Sequence, residues 1–209
     1  ASKQALFLVF MFDRSLSMFG AKLSNRWGPC KAAMVSFFAA PDAEHLHASL
    51  HYFPQAGTMV SCQSEAYAKP SVAMTGLPND AFARSLDGVI PELGTPIEPA
   101  MTGAIAYAKG IATGEGKDGK VALVLVSDGE PVGCGSSVSG TAAIVRAVAE
   151  MMPTSRPSAT SSVSRSRAAI SSADGAPNNV AKKSARACSC SVVTARVTAP
   201  LCARAFRAS

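Results

Sequence analysis

Side chains that carry oxygen are clustered at three places along the chain. Asp13, Ser15 and Ser17 alternate directly after an apolar run. Thr95 lies in a Gly-Thr-Pro turn, and Asp128 directly follows a second apolar run. Alternate residues of an extended segment point the same way, so the first three side chains can face one point. Two carboxylates and three hydroxyls form the oxygen donor set that Mg²⁺ or Mn²⁺ prefers, and this set argues against zinc because it needs neither Cys nor His.

The two apolar runs predict the strands that must position these side chains. Residues 5–12 read Ala-Leu-Phe-Leu-Val-Phe-Met-Phe, and residues 120–126 read Lys-Val-Ala-Leu-Val-Leu-Val. Unbroken apolar runs of this kind are typical of parallel strands that are buried on both faces. Because parallel strands end at the same edge of a sheet, we expect Asp13 and Asp128 to lie on one rim.

The rest of the first 152 residues alternates between helical and strand-like patterns. We expect helices over 26–40, from 79 or 80 to 90, and over 96–112 and 141–152, and further strands over 49–53 and 71–77. The strand at 71–77 suits a sheet edge. This alternation predicts an α/β fold with a doubly wound, Rossmann-like, mostly parallel sheet flanked by helices, in which ligands bind at the carboxyl ends of the strands.

The distribution of charge divides the chain near residue 153. The net charge is +6, but residues 1–152 hold 11 basic and 13 acidic residues, whereas residues 153–209 hold 9 basic residues and the single acid Asp174. The first part is therefore not a basic module of the kind that binds nucleic acid. No apolar run approaches the length of about 18 residues that a membrane-spanning helix needs. We expect neither a nucleic-acid partner nor a membrane span.

The last part of the chain differs in composition from the first. Residues 153–209 contain 12 Ser and 13 Ala but only one aromatic residue, Phe206. Such a segment buries too little apolar surface to offset its conformational entropy, which predicts disorder. A second interpretation is a frame-shifted stretch, because the fold should continue there with another strand and helix. We therefore expect a domain over 4–152 that lacks recognisable last strands, followed by a low-complexity basic tail over 153–209.

The segments that carry the oxygen side chains resemble those of von Willebrand factor A domains with a metal-ion-dependent adhesion site. Residues 12–18, Phe-Asp-Arg-Ser-Leu-Ser-Met, resemble the DxSxS motif of that family. Residues 94–96 resemble its threonine loop, and residues 126–131, Val-Ser-Asp-Gly-Glu-Pro, resemble its aspartate loop. The resemblance covers about residues 4–152, and details such as Leu77-Pro78 are similar to the A domains of bacterial surface or secreted proteins.

The resemblance implies a metal-dependent protein-binding or adhesion module rather than an enzyme, located outside the cell, at the bacterial surface or in the periplasm. The metal, Mg²⁺ or Mn²⁺, would be bound directly or through water by five residues: Asp13, Ser15, Ser17, Thr95 and Asp128. A protein partner would complete the coordination shell with a carboxylate. Three further residues would border the contact surface: Leu16, Met18 and Glu130.

Two alternative functions remain open at this point. One is an intracellular A-domain subunit of a metal-insertion or transport assembly. The other is a phosphatase-like enzyme, which is disfavoured because it needs a second Asp two residues after Asp13, where this chain has Ser15. A disulfide between Cys62 and Cys134, which lie in loops expected on the same rim, would exclude the intracellular alternative because cytosolic thiols stay reduced.

Two other groups of metal-ligand residues are expected to have no role in the site. His45, His47 and His51 are close in sequence, but they have no acidic or Cys partner at ligand spacing. We therefore expect them to be solvated. Cys30, on the first predicted helix, is expected to be a small buried residue.

Overall fold

The computed structural model describes residues 4–20, 26–56 and 61–150, with side chains up to residue 147, and the backbone of residues 191–197. The strands are Leu6–Asp13 (β1), Leu46–Phe53 (β2), Val72–Gly76 (β3), Lys120–Ser127 (β4) and Ser191–Val197 (β5). The helices are Leu16–Phe19 (α1), Trp27–Ala39 (α2), Glu65–Ala68 (α3), Ala81–Asp87 (α4), Ile97–Thr113 (α5) and Val138–Glu150 (α6), and Pro41–Ala43 is a short 3₁₀ turn. Among the described residues, no helix has both the length and the apolar character needed to cross a membrane.

The sheet is centred on β1 and confirms the predicted fold class. Its strand order is β3-β2-β1-β4-β5. β1 pairs in parallel with β2 and β4, whereas β3 and β5 pair antiparallel to their neighbours. All residues of β1 and β4 except the first of each are buried, as expected for strands covered on both faces.

Helices cover both faces of the sheet. Because successive side chains of a strand point to opposite faces, β1 contributes to two apolar layers. Its odd-numbered residues from 7 to 11 pack with α5, and its even-numbered residues from 8 to 12 pack with α2 and α4. The two layers fix the sheet between helices and leave its carboxyl end open for loops.

The parallel register brings the ends of β1, β2 and β4 to the same level. Asp13 is paired with Phe53 of β2, and Phe12 is paired with Val126 of β4. The next residue of β4, Ser127, therefore lies beside Asp13. We call this edge of the sheet the rim, and define it as residues 13–18, 92–95 and 127–132.

The strand β5 corrects the expectation that residues 153–209 add no strand to the domain. Its backbone pairs antiparallel with β4 from Val121–Val197 to Ser127–Ser191. The segment reads Ser-Val-Val-Thr-Ala-Arg-Val, and its β-branched residues favour an extended backbone. An antiparallel edge strand such as β5 does not need an unbroken apolar run, which is the pattern that predicted β1 and β4. Residues 151–190 and 198–209 lie outside the described residues, so the disordered or frame-shifted tail stays a prediction.

Helix α5, which follows Thr95 and therefore positions that loop, packs closely on α3 at Gly103. A Cβ atom at Gly103 would lie 2.2 Å from the carbonyl oxygen of Ser64 and 2.9 Å from the backbone nitrogen of Ala68. Both are backbone atoms, so neither can rotate away. The absence of a side chain at Gly103 therefore permits this helix contact.

We expect Gly103→Ala to destabilise the domain by about 1–3 kcal/mol, the usual cost of overpacking. Gly110→Ala is the matched control on the same helix, since a Cβ atom there meets nothing within 4 Å. That control should be neutral or stabilising by up to about 1 kcal/mol, because Ala favours helix over Gly. Urea denaturation of both variants measures the difference, and equal stabilities would show that the α3–α5 contact is looser than described.

Candidate metal site

Asp13 is a buried carboxylate at the centre of the rim. Its Oδ1 accepts a hydrogen bond of 2.8 Å from the backbone N–H of Ser15, and its Oδ2 accepts one of 2.6 Å from the hydroxyl of Ser127. Burial raises the pKa of Asp13, the two serines oppose that shift, and the charge of Asp128 adds to it. A carboxylate in this position is stabilised in its ionised form by a nearby cation.

Three oxygen atoms form a continuous chain from the DxSxS loop to the aspartate loop. Ser15 Oγ lies 2.8 Å from Ser17 Oγ, whose hydroxyl donates a 3.0 Å hydrogen bond to Asp128 Oδ1. Neighbouring ligands of an octahedral Mg²⁺ ion, with metal–oxygen distances of about 2.0–2.1 Å, are about 2.9 Å apart. The spacing of these oxygens therefore fits adjacent positions of such a shell.

The threonine loop is fixed to both other loops by backbone hydrogen bonds. The N–H of Leu16 donates to the carbonyl of Glu92 over 2.9 Å, and the N–H of Glu92 donates to the carbonyl of Arg14 over 3.0 Å. Thr95 and Val132 exchange two such bonds of 2.7 and 3.0 Å. All five predicted ligand residues thus belong to three loops that are joined at one rim, and Thr95 is buried there.

The donor set of the rim is made of carboxylates and hydroxyls. Among residues 4–20, 26–56 and 61–150, no three His, Cys, Asp or Glu side chains come together as a metal-ligand group. A metal at the rim would accordingly be bound by Asp13 and Asp128 with help from hydroxyl oxygens. This chemistry fits a hard ion such as Mg²⁺ or Mn²⁺ and does not fit zinc.

Two residues of the site were not found from the sequence. Ser127 orients Asp13, as described above, and Arg26 forms an ion pair with Asp128 through Nη1 and Oδ2. Arg26 immediately precedes α2. A cation at the N-terminus of a helix is disfavoured by the helix dipole. An arginine at a predicted helix start is therefore the sequence signal that an anion lies nearby.

The surface around the site differs in part from the prediction. Leu16 and Glu130 are exposed, as expected of residues that border a contact surface. The prediction that Met18 borders the contact surface is wrong, because its side chain is fully buried in the layer of α2 and α4. The alternation of the DxSxS loop ends where α1 begins, and the helical turn directs Met18 inward.

Three large apolar side chains are exposed on the rim, and we call them the apolar collar: Leu16, Leu93 and Val132. Their exposed fractions are 49%, 70% and 61%. Backbone hydrogen bonds between Leu16 and Glu92 and between Val132 and Thr95 place all three residues in the loops that meet at the rim.

Cys62 and Cys134, considered above as a possible pair, form a disulfide. It ties the segment after Asp128 to the loop before α3. Cys134 itself has a positive φ of 56°, and Gly133 and Gly135 on either side have φ of 100° and 68°, so the bridge is made from a tight turn. Cys30 is buried as expected, but it is also disulfide-bonded, which corrects the expectation of a simple packing residue.

The expectation that all three histidines are solvated holds for His45, which is exposed, but is wrong for His47 and His51. β2 begins at Leu46, earlier than the predicted strand, because it pairs with β1 along its whole length. His47 therefore stacks on Phe7, with ring centroids 4.7 Å apart. His51 is buried, its Nδ1 lies 3.1 Å from the carbonyl oxygen of Tyr67, and burial lowers its pKa to about 4.

Comparison with known proteins finds distant structural similarity only. No family model matches the chain, and no curated protein matches it. The chain is similar to the vWF domain of the type V pili tip protein Mfa5 from Porphyromonas gingivalis, with a TM-score of 0.45 and 18% identity over 63% of this chain and 40% of that one. A structure of three N-terminal domains of Mfa5 is similar with a TM-score of 0.43 and 18% identity over 61% and 20% of the two chains.

We expect the stability of the domain to fall between pH 6.5 and pH 4 because of His51. The pKa of His51 is about 4 in the folded domain, against 6.5 without burial, so only the unfolded chain gains this proton across that range. Protonation of His51 in the unfolded chain, but not in the folded domain, would lower the free energy of unfolding by about 3 kcal/mol at pH 4. His51→Gln retains a side chain that can donate to Tyr67 but does not titrate. The free energy of unfolding of His51→Gln, measured by urea denaturation, should depend less on pH over this range than that of the wild type. The same pH dependence in both proteins would contradict the assignment of the effect to His51.

Proposed function

We propose that the chain is a divalent-metal-dependent protein-binding module, in which Mg²⁺ or Mn²⁺ at the rim accepts a carboxylate from a protein partner. The observation that carries this proposal is the oxygen chain Ser15–Ser17–Asp128, whose 2.8 and 3.0 Å spacings suit adjacent ligands of a six-coordinate ion. The chain lies at the carboxyl ends of parallel strands, which is where α/β sheets bind ligands.

The coordination chemistry of the site explains why the partner would be acidic. Asp13 and Asp128 supply the only formal charges among the five ligand residues, and the serine and threonine oxygens are neutral. When bound, the metal would supply a positive centre with an open coordination position. Such a centre attracts an incoming carboxylate. The residues of this chain hold the ion and shape the access to it.

The apolar collar supports a protein partner over a small substrate. Exposed apolar patches rimmed by polar residues mark protein interaction surfaces. The collar would give a partner apolar contact area on the same rim as the polar anchor. The phosphatase alternative has no comparable support, because Ser15 occupies the position where it needs an Asp and donates its backbone N–H to Asp13. We therefore propose a binding module rather than an enzyme.

The disulfides support a location outside the cytoplasm. Cys62 is bonded to Cys134, and Cys30 is disulfide-bonded as well. Disulfides persist in secreted, periplasmic and cell-surface proteins and are rare in the cytosol. This disfavours the intracellular alternative and agrees with a bacterial surface or secreted module.

We expect Mg²⁺ to stabilise the domain and Asp13→Asn to remove that effect while leaving the domain folded. At a metal concentration about 100 times the Kd, binding to the folded state adds about 2.7 kcal/mol of stability. Thermal unfolding with and without MgCl₂, against EDTA, measures the shift. Asp118→Asn is the control for loss of one negative charge, because Asp118 is exposed and precedes the amino end of β4, opposite the rim. An Mg²⁺ shift of equal size in Asp13→Asn would contradict the assignment of the site.

We expect peptides selected for binding in MgCl₂ to contain Asp or Glu next to apolar residues. A random peptide library displayed on phage and counter-selected in EDTA provides the measurement. Leu93→Ser should keep the requirement for an acidic residue but weaken the preference for apolar neighbours, because Leu93 is the most exposed member of the collar. Selected peptides that lack a carboxylate, or that bind equally in EDTA, would contradict the proposed function.

A further inference from the structure

Arg26 contacts the same carboxylate that the proposed metal site requires. Asp128 Oδ1 accepts from Ser17, and its Oδ2 accepts from the Arg26 guanidinium. Both oxygens of Asp128 are therefore engaged. A metal that binds Asp128 meets a positive charge already in place.

The two partners of this ion pair differ in their freedom to move. The Asp128 side chain is fully buried, whereas 37% of the Arg26 side chain is exposed. The backbone of Arg26 is fixed, because its N–H donates to the carbonyl of Met18 over 2.9 Å and its carbonyl accepts from Cys30 over 3.1 Å. Only the Arg26 side chain can leave the contact, and it can do so directly into solvent.

The position of Arg26 also makes its contact with Asp128 depend on the negative charge of that carboxylate. Arg26 stands at the N-terminus of α2, where the helix dipole disfavours a cation. The Asp128 carboxylate offsets that disadvantage. Once another cation neutralises Asp128, the guanidinium gains little by staying there.

On the basis of the metal site proposed above, we propose that Arg26 is a built-in competitor of the metal. In the metal-free domain its guanidinium balances the charge of Asp128, and a divalent ion displaces it into solvent. The population with Arg26 displaced is the one competent to bind metal, so the ion pair lowers the apparent metal affinity by that fraction. Arg26 thereby sets the metal concentration at which the rim becomes able to bind a partner.

The test is a titration of the full chain with Mn²⁺, in which electron paramagnetic resonance reports the free ion. Arg26→Gln, which removes the charge, should bind Mn²⁺ about tenfold or more tightly than the wild type. Arg26→Lys, which keeps a charge, should stay closer to the wild type. Arg84→Gln removes a positive charge from an exposed position on α4 and should leave the affinity unchanged.

The outcomes separate this inference from the proposed function. If the wild type binds Mn²⁺ and Arg26→Gln binds it equally or more weakly, Arg26 is not a competitor, and the metal site stands. If neither protein binds Mn²⁺, both the metal site and the competition are wrong. Binding by Arg26→Gln alone supports the competition and overturns metal-dependent function for the natural chain.

A measurement on the wild type covers the case in which the variants fail to fold. The side-chain NεH resonance of Arg26 should be distinct from those of exposed arginines in EDTA. It should move to the position of exposed arginines as MgCl₂ is added. A resonance that keeps its EDTA position while Mg²⁺ binds would overturn displacement of Arg26.

Discussion

Parallel pairing of β1 with both β2 and β4 is the constraint on which the rest of the structure depends. The shared register ends the three strands together and places the buried carboxylate of Asp13 between Phe53 and Ser127. The parallel pairing of β1 with β4 brings the DxSxS loop and the aspartate loop to one rim. The raised pKa of Asp13 shows the energetic cost of that burial, and a nearby cation would offset it.

The rim is organised by contacts that do not require a metal. Backbone hydrogen bonds join the threonine loop to the other two loops, and the Cys62–Cys134 disulfide restrains the segment that follows Asp128. Donor groups held by such supporting contacts bind a ligand with less ordering cost. Arg26 completes this arrangement, because it supplies to Asp128 the positive charge that a metal would otherwise supply. Asp128 thus takes part both in an ion pair within the domain and in the metal binding proposed for it.

Much of the fold could be predicted from the sequence because β1 and β4 are buried on both faces and read as unbroken apolar runs. The grouping of Asp13, Ser15 and Ser17 was predicted correctly, but for a partly wrong reason. The expected extended alternation ends at Ser15, and Ser17 reaches Asp128 from the first turn of α1. The failures have a common physical origin in tertiary context. Met18 turns inward with α1, the pairing with β1 draws His47 into β2, and β5 is recognisable only through its pairing with β4. Arg26 contacts Asp128 across the fold. Its position at a predicted helix start indicates a nearby anion, but the local pattern does not show that this anion is Asp128.

Crystals of the full chain soaked in Mn²⁺ offer the most direct test that the three loops form one metal site. Anomalous diffraction at the manganese edge locates the ion without any assumption about its ligands. We predict a single strong peak at the rim, within bonding distance of the Ser15 and Ser17 hydroxyls and next to Asp13 and Asp128, with Thr95 on the same side. The absence of a peak there at millimolar Mn²⁺, or a peak bound elsewhere on the domain, would contradict the account.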